Sequence, residues 1–222
     1  MNAVLWDVDG TLLLNSSVAG RLYDRAIAEV TGVEPSGRRP NEHGKTDAQI
    51  ITERLADLGF GPDLLPAVRE RLDALSVVAY TGEAARRTAP GVTEAVSAVA
   101  AAGWRNGLLT GNSPARIRAK FTSAGLDPAR FDEALWFSGE ATPVRADLAR
   151  RARTEVPDAA LVVIGDTPSD GEAAASAGIP FVAVATGAFG EQALQDAGAA
   201  LVLPDLEAGL PDLLAALARL ER

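Results

Sequence analysis

Cysteine is absent from this 222-residue chain, and histidine occurs once, as His43. The first absence excludes disulfides, thiolate catalysis and zinc–thiolate sites. The second excludes a histidine-based triad and a histidine-rich metal site. A metal, if one is used, must be held by oxygen, which favours Mg²⁺ over softer ions. No apolar run is long enough to span a bilayer, and no basic segment followed by an apolar signal core opens the chain. The expectation is a cytoplasmic protein with no membrane partner. Positive charge is also scarce: 21 Lys and Arg stand against 30 Asp and Glu, a net −9. That balance argues against nucleic acid or an anionic surface as the main partner. A small anionic substrate is still compatible, because a local site can be cationic within an acidic protein.

What is present is an ordinary globular composition, 47% hydrophobic and 23% charged. Short, continuously apolar runs alternate with longer amphipathic or alanine-rich stretches. The runs at 3–8, 106–110, 160–166, 181–186 and 200–204 read as buried parallel strands. Helices are expected at 90–102, 113–124, 143–155, 169–177, 190–197 and 205–220. Pro90 and Pro114 suit first turns, and Gly103, Gly125 and Gly178 suit stops. Strand and helix repeated in this order imply an α/β fold with a doubly wound parallel sheet. Residues 15–86 break the rhythm, with helical stretches at 17–31, 46–58 and 63–79 and no convincing strand. They read as an all-helical insertion placed directly after the first strand. The core is then discontinuous, formed by residues 1–14 and 87–222.

In an open parallel sheet, ligands bind beyond the carboxyl ends of the strands. The first strand ends in "DVDGT", residues 7–11. A buried carboxylate is costly without a partner, and two close together repel. Asp7 and Asp9 are two apart, so extended backbone turns both to one face. Gly10 then permits a sharp departure. An Asp-Gly pair can be a plain turn, but that leaves Asp7 at the end of a buried strand unexplained. The run at 106–110 delivers Thr110, Gly111 and Asn112, where the helix N-terminus that follows favours an anion. Asn112 or Ser113 can also cap that helix. "VVIGDTPSD" delivers Asp166 and Asp170. Asp166 follows a buried strand as Asp7 does and is expected to ligate a metal directly. For Asp170 three readings stay open: a ligand, an orienter of a ligand, or a first-turn acid beside a Ser169 cap.

In this order, "DVDGT", "LLTGN" and "VVIGDTPSD" resemble motifs I, II and IV of the haloacid dehalogenase-like hydrolases. The helical insertion resembles that superfamily's type 1 cap, and "GKTDAQI" (44–50) resembles a cap segment of its phosphoglycolate phosphatase-like members. The resemblance implies a phosphomonoesterase acting on a small phosphorylated metabolite through an aspartyl-phosphate. Asp7 is then the nucleophile, and Asp9 protonates the leaving oxygen and later activates water. Mg²⁺ is held by Asp7, the backbone carbonyl of Asp9 and Asp166, with Asp170 beside them. Thr110, Gly111 and Asn112 bind the phosphoryl group. The third motif of the family usually supplies a lysine, but "GEATPVRADLARRA" (139–152) has none. Arg145 is the fitting cation there, unless it is a solvated helix residue like Arg150, Arg151 and Arg153. Lys45, His43, Arg38 and Arg39 fall in the insertion, where selectivity groups sit in the family, and Arg21 is a further cation. Asp9 argues against the dehalogenases and phosphonoacetaldehyde hydrolases, which lack an acid there. A phosphosugar mutase retains both acids, and a non-catalytic phosphoacceptor or regulatory protein is the remaining alternative.

Overall fold

The computed structural model describes residues 2–16, 18–36, 42–82 and 85–220. Six strands form one sheet: β1 (Ala3–Trp6), β2 (Arg105–Thr110), β3 (Trp136–Ser138), β4 (Leu161–Gly165), β5 (Phe181–Val184) and β6 (Leu201–Leu203). Their order is β3-β2-β1-β4-β5-β6, and every pairing is parallel. The order reverses at β1, so a crevice opens beyond the ends of β1 and β4, where such sheets take ligands.

Alternation along β1 sets the two faces. Val4 and Trp6 join one apolar cluster, and Ala3 and Leu5 join the other. Both faces are buried, so β1, β4, β5 and β6 are apolar almost throughout, as the runs predict, while β2 opens on Arg105 and Asn106. Trp6 packs in the core and its indole N–H donates to Asn106 at 2.9 Å. Strand β3, the three residues Trp136, Phe137 and Ser138 at one sheet edge, escapes the sequence reading.

Three helices lie between β1 and β2 and before the core resumes: α1 (Val18–Thr31), α2 (Asp47–Asp57) and α3 (Leu65–Thr81). They are followed by α4 (Val92–Ala101), α5 (Pro114–Ala124), α6 (Arg145–Glu155), α7 (Pro168–Ser176), α8 (Glu191–Asp196) and α9 (Leu210–Leu220). Pro114 opens α5 and Gly125 closes it at a φ of 70°, as expected. Pro90 instead lies in the turn before α4, which Gly91 caps. Helix α9 starts five residues later than the pattern implied. The Asp205 carboxylate accepts from Glu207 and Ala208 N–H and holds a turn there.

Helices α1 to α3 build a third apolar cluster from Leu22, Ile27, Ile51, Leu55 and Leu72, joined by Ala119 of α5. Helix α5 therefore packs on the sheet with one side and on α3 with the other. A buried polar lock reinforces that contact. Asp47, at the start of α2, accepts from Tyr23 Oη at 2.5 Å, from Ser113 N–H at 2.9 Å and from the Arg116 guanidinium. Arg116 also donates to Ser76 Oγ at 3.1 Å. Backbone bonds continue the contact: Asp47 N–H donates to Gly111 O at 2.8 Å and Ala48 N–H to Gly139 O at 3.3 Å. Removing one partner of a buried pair leaves an uncompensated charge. Arg116→Met is therefore expected to destabilise the protein by about 3–5 kcal/mol, as read from urea unfolding. A surface arginine such as Arg25 should change it by less than about 0.5 kcal/mol.

Candidate active site

The loop after β1 carries the first two acids. Asp7 is buried, and its N–H still pairs with Ile164 O at 2.8 Å, so β1 and β4 hold it in place. Gly10 has a φ of 94°, in the left-handed region, and a Cβ there would collide with the Asp166 carboxylate. Gly10 thus provides both the turn and the room for Asp166.

Asp166 leaves β4 fully buried. Its Oδ1 accepts from Thr11 Oγ1 at 3.0 Å, while Oδ2 is buried with no hydrogen-bond partner among the described residues. Asp7, Asp166 and Asp170 offer carboxylate oxygens that lie within 4.8 Å of one another. Burial raises the proton affinity of Asp7, partly offset by Arg145 and reinforced by Asp170. Burial also raises that of Asp166, with the charges of Asp7 and Asp170 added. Three close carboxylates and an orphaned oxygen form a donor set that suits a hard divalent cation, which would relieve both penalties.

Asp170 is held from two sides. It forms a capping box with Thr167: its Oδ2 accepts from Thr167 N–H at 3.0 Å and Oγ1 at 2.7 Å. The cap of α7 is Thr167, not Ser169 as the sequence implied; the reciprocal Thr167–Asp170 bonds satisfy two donors at once. The other Asp170 oxygen accepts from Arg145 Nη2 at 2.6 Å. Asp170 is thus a first-turn acid that also bonds Arg145, and its carboxylate lies within the acidic group.

Arg145 opens α6 and is buried, unlike Arg150 and Arg151 on the same helix. Its Nη2 donates to Asp7 Oδ1 at 2.6 Å and to Leu109 O at 3.2 Å; Nη1 donates to Gly44 O at 3.2 Å. The solvated reading is overturned: Arg145 is buried and paired with both Asp7 and Asp170.

Thr110, Gly111 and Asn112 lie at the end of β2, and Ser113 caps α5 by accepting from Arg116 N–H at 3.2 Å. Asn112 is turned toward Asp9 instead of standing free. Its Nδ2 donates to Asp9 Oδ2 at 2.9 Å and to Thr110 Oγ1 at 3.0 Å, and its Oδ1 accepts from Lys120 at 2.6 Å. The Asp9 carboxylate lies outside the group formed by Asp7, Asp166 and Asp170. Arg86 Nη2 donates to Asp9 Oδ1 at 2.7 Å, and Lys120 Nζ contacts Oδ2. Burial would raise the proton affinity of Asp9, but Lys120 and Arg86 outweigh it and hold Asp9 well below the usual carboxylate range.

Lys120 and Arg86 escape the sequence reading. A spacing of four places Arg116 and Lys120 on one side of α5, in register with Asn112 before it, a signal the sequence does carry. Arg86 has none, since Arg87 beside it is exposed. Of the other candidates, Lys45 pairs with Glu53 at 2.5 Å and His43 stacks edge-on against Phe189. Arg21 is exposed, and Arg38 and Arg39 lie outside the described residues.

A cavity of about 340 Å³ connects these groups, lined by Asp7, Asp9, Thr110, Lys120 and Arg145 from the core and by Tyr23, His43 and Lys45 from the insertion. That volume suits a small ligand. No helix among the described residues is long and apolar enough to cross a membrane.

Comparison with solved structures returns the same fold. CbbY from Rhodobacter sphaeroides in complex with phosphate has a TM-score of 0.69 at 23% identity, over 94% of this chain and 96% of that one. A hydrolase from Pseudomonas syringae scores 0.69 at 16% identity, over 96% and 98%. A CbbY variant in complex with xylulose-1,5-bisphosphate scores 0.67 at 22% identity, over 93% and 95%. No curated protein matches the chain. The family model for haloacid dehalogenase-like hydrolases matches residues 1–178. With strand-end acids in that family's order on a parallel sheet, the chain belongs to the haloacid dehalogenase-like hydrolases.

Proposed function

We propose that the protein is a Mg²⁺-dependent phosphomonoesterase for a small soluble organic phosphate, working through an aspartyl-phosphate on Asp7. The observation that carries this reading is the division of the acids. Asp7 shares a cluster with Asp166 and Asp170 and their orphaned oxygen, while Asp9 is held apart by two cations beside the same cavity. The core comprises residues 1–14 and 87–222, and residues 15–86 form a cap that closes the site to water.

Asp7 attacks phosphorus in line with the leaving oxygen, forming the Asp7–phosphorus bond as the ester P–O bond breaks. Asp9 gives its proton to the departing oxygen, then takes one from the water that cleaves the aspartyl-phosphate, releasing phosphate and regenerating Asp7. The ionised Asp9 of the free protein has the form needed for the second step; the first requires that it take up a proton as the anionic ester enters. Arg145 neutralises Asp7 and the incoming phosphoryl oxygens, so two anions can approach. Thr110, Gly111 and Asn112 line the same cavity and would meet that anion. Asp7, the Asp9 carbonyl and Asp166 would hold Mg²⁺, with Asp170 steadying Arg145. When bound, Mg²⁺ supplies charge neutralisation at the phosphoryl group.

Turnover of p-nitrophenyl phosphate should vanish in EDTA and return with Mg²⁺, with circular dichroism unchanged. Mg²⁺ at 100 times its dissociation constant should stabilise the fold by about 2.7 kcal/mol, seen as a rise in Tm. Full turnover in metal-free buffer would overturn the reading. Phosphate release from a sugar phosphate separates the hydrolase from a mutase, which would return the group to the sugar.

A further inference from the structure

Asp9 carries an unusual pairing: one carboxylate, itself about 31% exposed, is contacted by two cations whose side chains are each 1% exposed. Burying both Arg86 and Lys120 against a single anion leaves a positive excess. A buried ion pair is in any case weak grounds for stability. The arrangement therefore needs a reason other than stability, and its geometry supplies one.

Lys120, Asn112 and Asp9 Oδ2 form a closed triangle, each in contact with the other two. Arg86 Nη2 takes the other oxygen, Oδ1, and is itself pinned by Leu14 O at 2.8 Å. Both Asp9 oxygens are thus engaged by donors, while the carboxylate stays outside the acidic group. Without these donors, an acid two residues from Asp7 would be drawn toward the cation that the Asp7 cluster binds. A fourth carboxylate would then occupy the site, and no group would stand beside the leaving oxygen.

Building on the phosphatase reading, we infer that Lys120 and Arg86 are positioning residues that hold the Asp9 carboxylate out of the acidic cluster and aimed into the cavity. They come from separate parts of the chain. Lys120 lines the cavity, and Arg86 is not among its lining residues. That difference makes the inference testable. An effect of Lys120 could be direct contact with substrate, whereas Arg86, bonded to Asp9 and to Leu14 O, has no such contact.

The test compares Lys120→Met, Lys120→Arg and Arg86→Met with the parent on p-nitrophenyl phosphate. Rapid-mix and steady-state kinetics are followed, with folding checked by circular dichroism. p-Nitrophenolate leaves without a proton, so phosphorylation of Asp7 should survive while water activation by a displaced Asp9 fails. The expected result for both Met variants is a burst of about one p-nitrophenol per enzyme, followed by turnover reduced about 10²-fold. KM should fall along with kcat, because the phosphoenzyme accumulates, so that kcat/KM stays within a few-fold, and Lys120→Arg should recover at least tenfold of the turnover loss. Turnover within threefold of the parent in both Met variants would overturn the inference. So would a loss of the burst in step with turnover, or a defect carried by KM alone. If Arg86→Met fails to fold, the burst and the Lys120→Arg recovery still decide. A parent without turnover, or an Asp7→Asn variant that retains it, would instead sink the phosphatase reading, and this inference with it.

Discussion

Asp7→Asn is expected to abolish both turnover and covalent phosphate, whereas Asp9→Asn should lose turnover by at least about 10²-fold while still trapping a phosphoenzyme. Asp7 is pinned at the end of β1 against Arg145, with no other carboxylate of the cluster at the same strand end. An amide there is too poor a nucleophile to attack phosphorus. Asp9 sits outside the cluster, so its loss leaves Asp7, Asp166 and Asp170 intact. A good leaving group can still depart, and the reaction stalls at the step that needs a base. Acid-quenched enzyme after incubation with labelled substrate would show label in Asp9→Asn and none in Asp7→Asn. Near-parental rates in either variant would remove that residue from its role.

Arg145→Ala should reduce kcat/KM by about 10²–10³-fold, with Arg145→Lys recovering part of the loss. One guanidinium nitrogen spans Asp7 and Asp170, and the other reaches Gly44 O in the segment that leads into α2. Truncation leaves two buried carboxylates without their cation and removes a link between core and insertion. Stability should therefore fall as well, by about 3–5 kcal/mol. A lysine restores charge but has no second nitrogen to bridge both elements. Equal kinetics in all three proteins would place phosphoryl neutralisation elsewhere. Lys45 is tied to Glu53 and Arg21 is exposed, so neither stands ready to replace it. Lys120 would then be the group to examine.

The chemical skeleton of this protein is written locally. Runs of apolar residues bury on both faces of a parallel sheet, so their positions alone specify every strand but β3 and the edge at which ligands gather. An acid directly after such a run has few structural reasons to be there, which marks Asp7 and Asp166. Gly10 marks the turn between them by its left-handed backbone. The missing third-motif lysine was equally plain in the sequence, and so was Arg145 as its nearest substitute.

What tertiary structure alone decided is which cation meets which acid. Arg145 and Asp7 are 138 residues apart in the chain, Lys120 and Asp9 111, and Arg86 and Asp9 77. At such separations no spacing rule applies, and a buried arginine reads like the exposed ones beside it. The fold also decided that Asp9, two residues from Asp7, would stand outside its acidic cluster, and that Asp47 and Arg116 would lock the insertion to α5. These outcomes depend on the partners that strand order and helix packing bring within hydrogen-bonding distance. Charges at one site are assigned by three-dimensional proximity, whereas the acids at strand ends follow from the local pattern of burial.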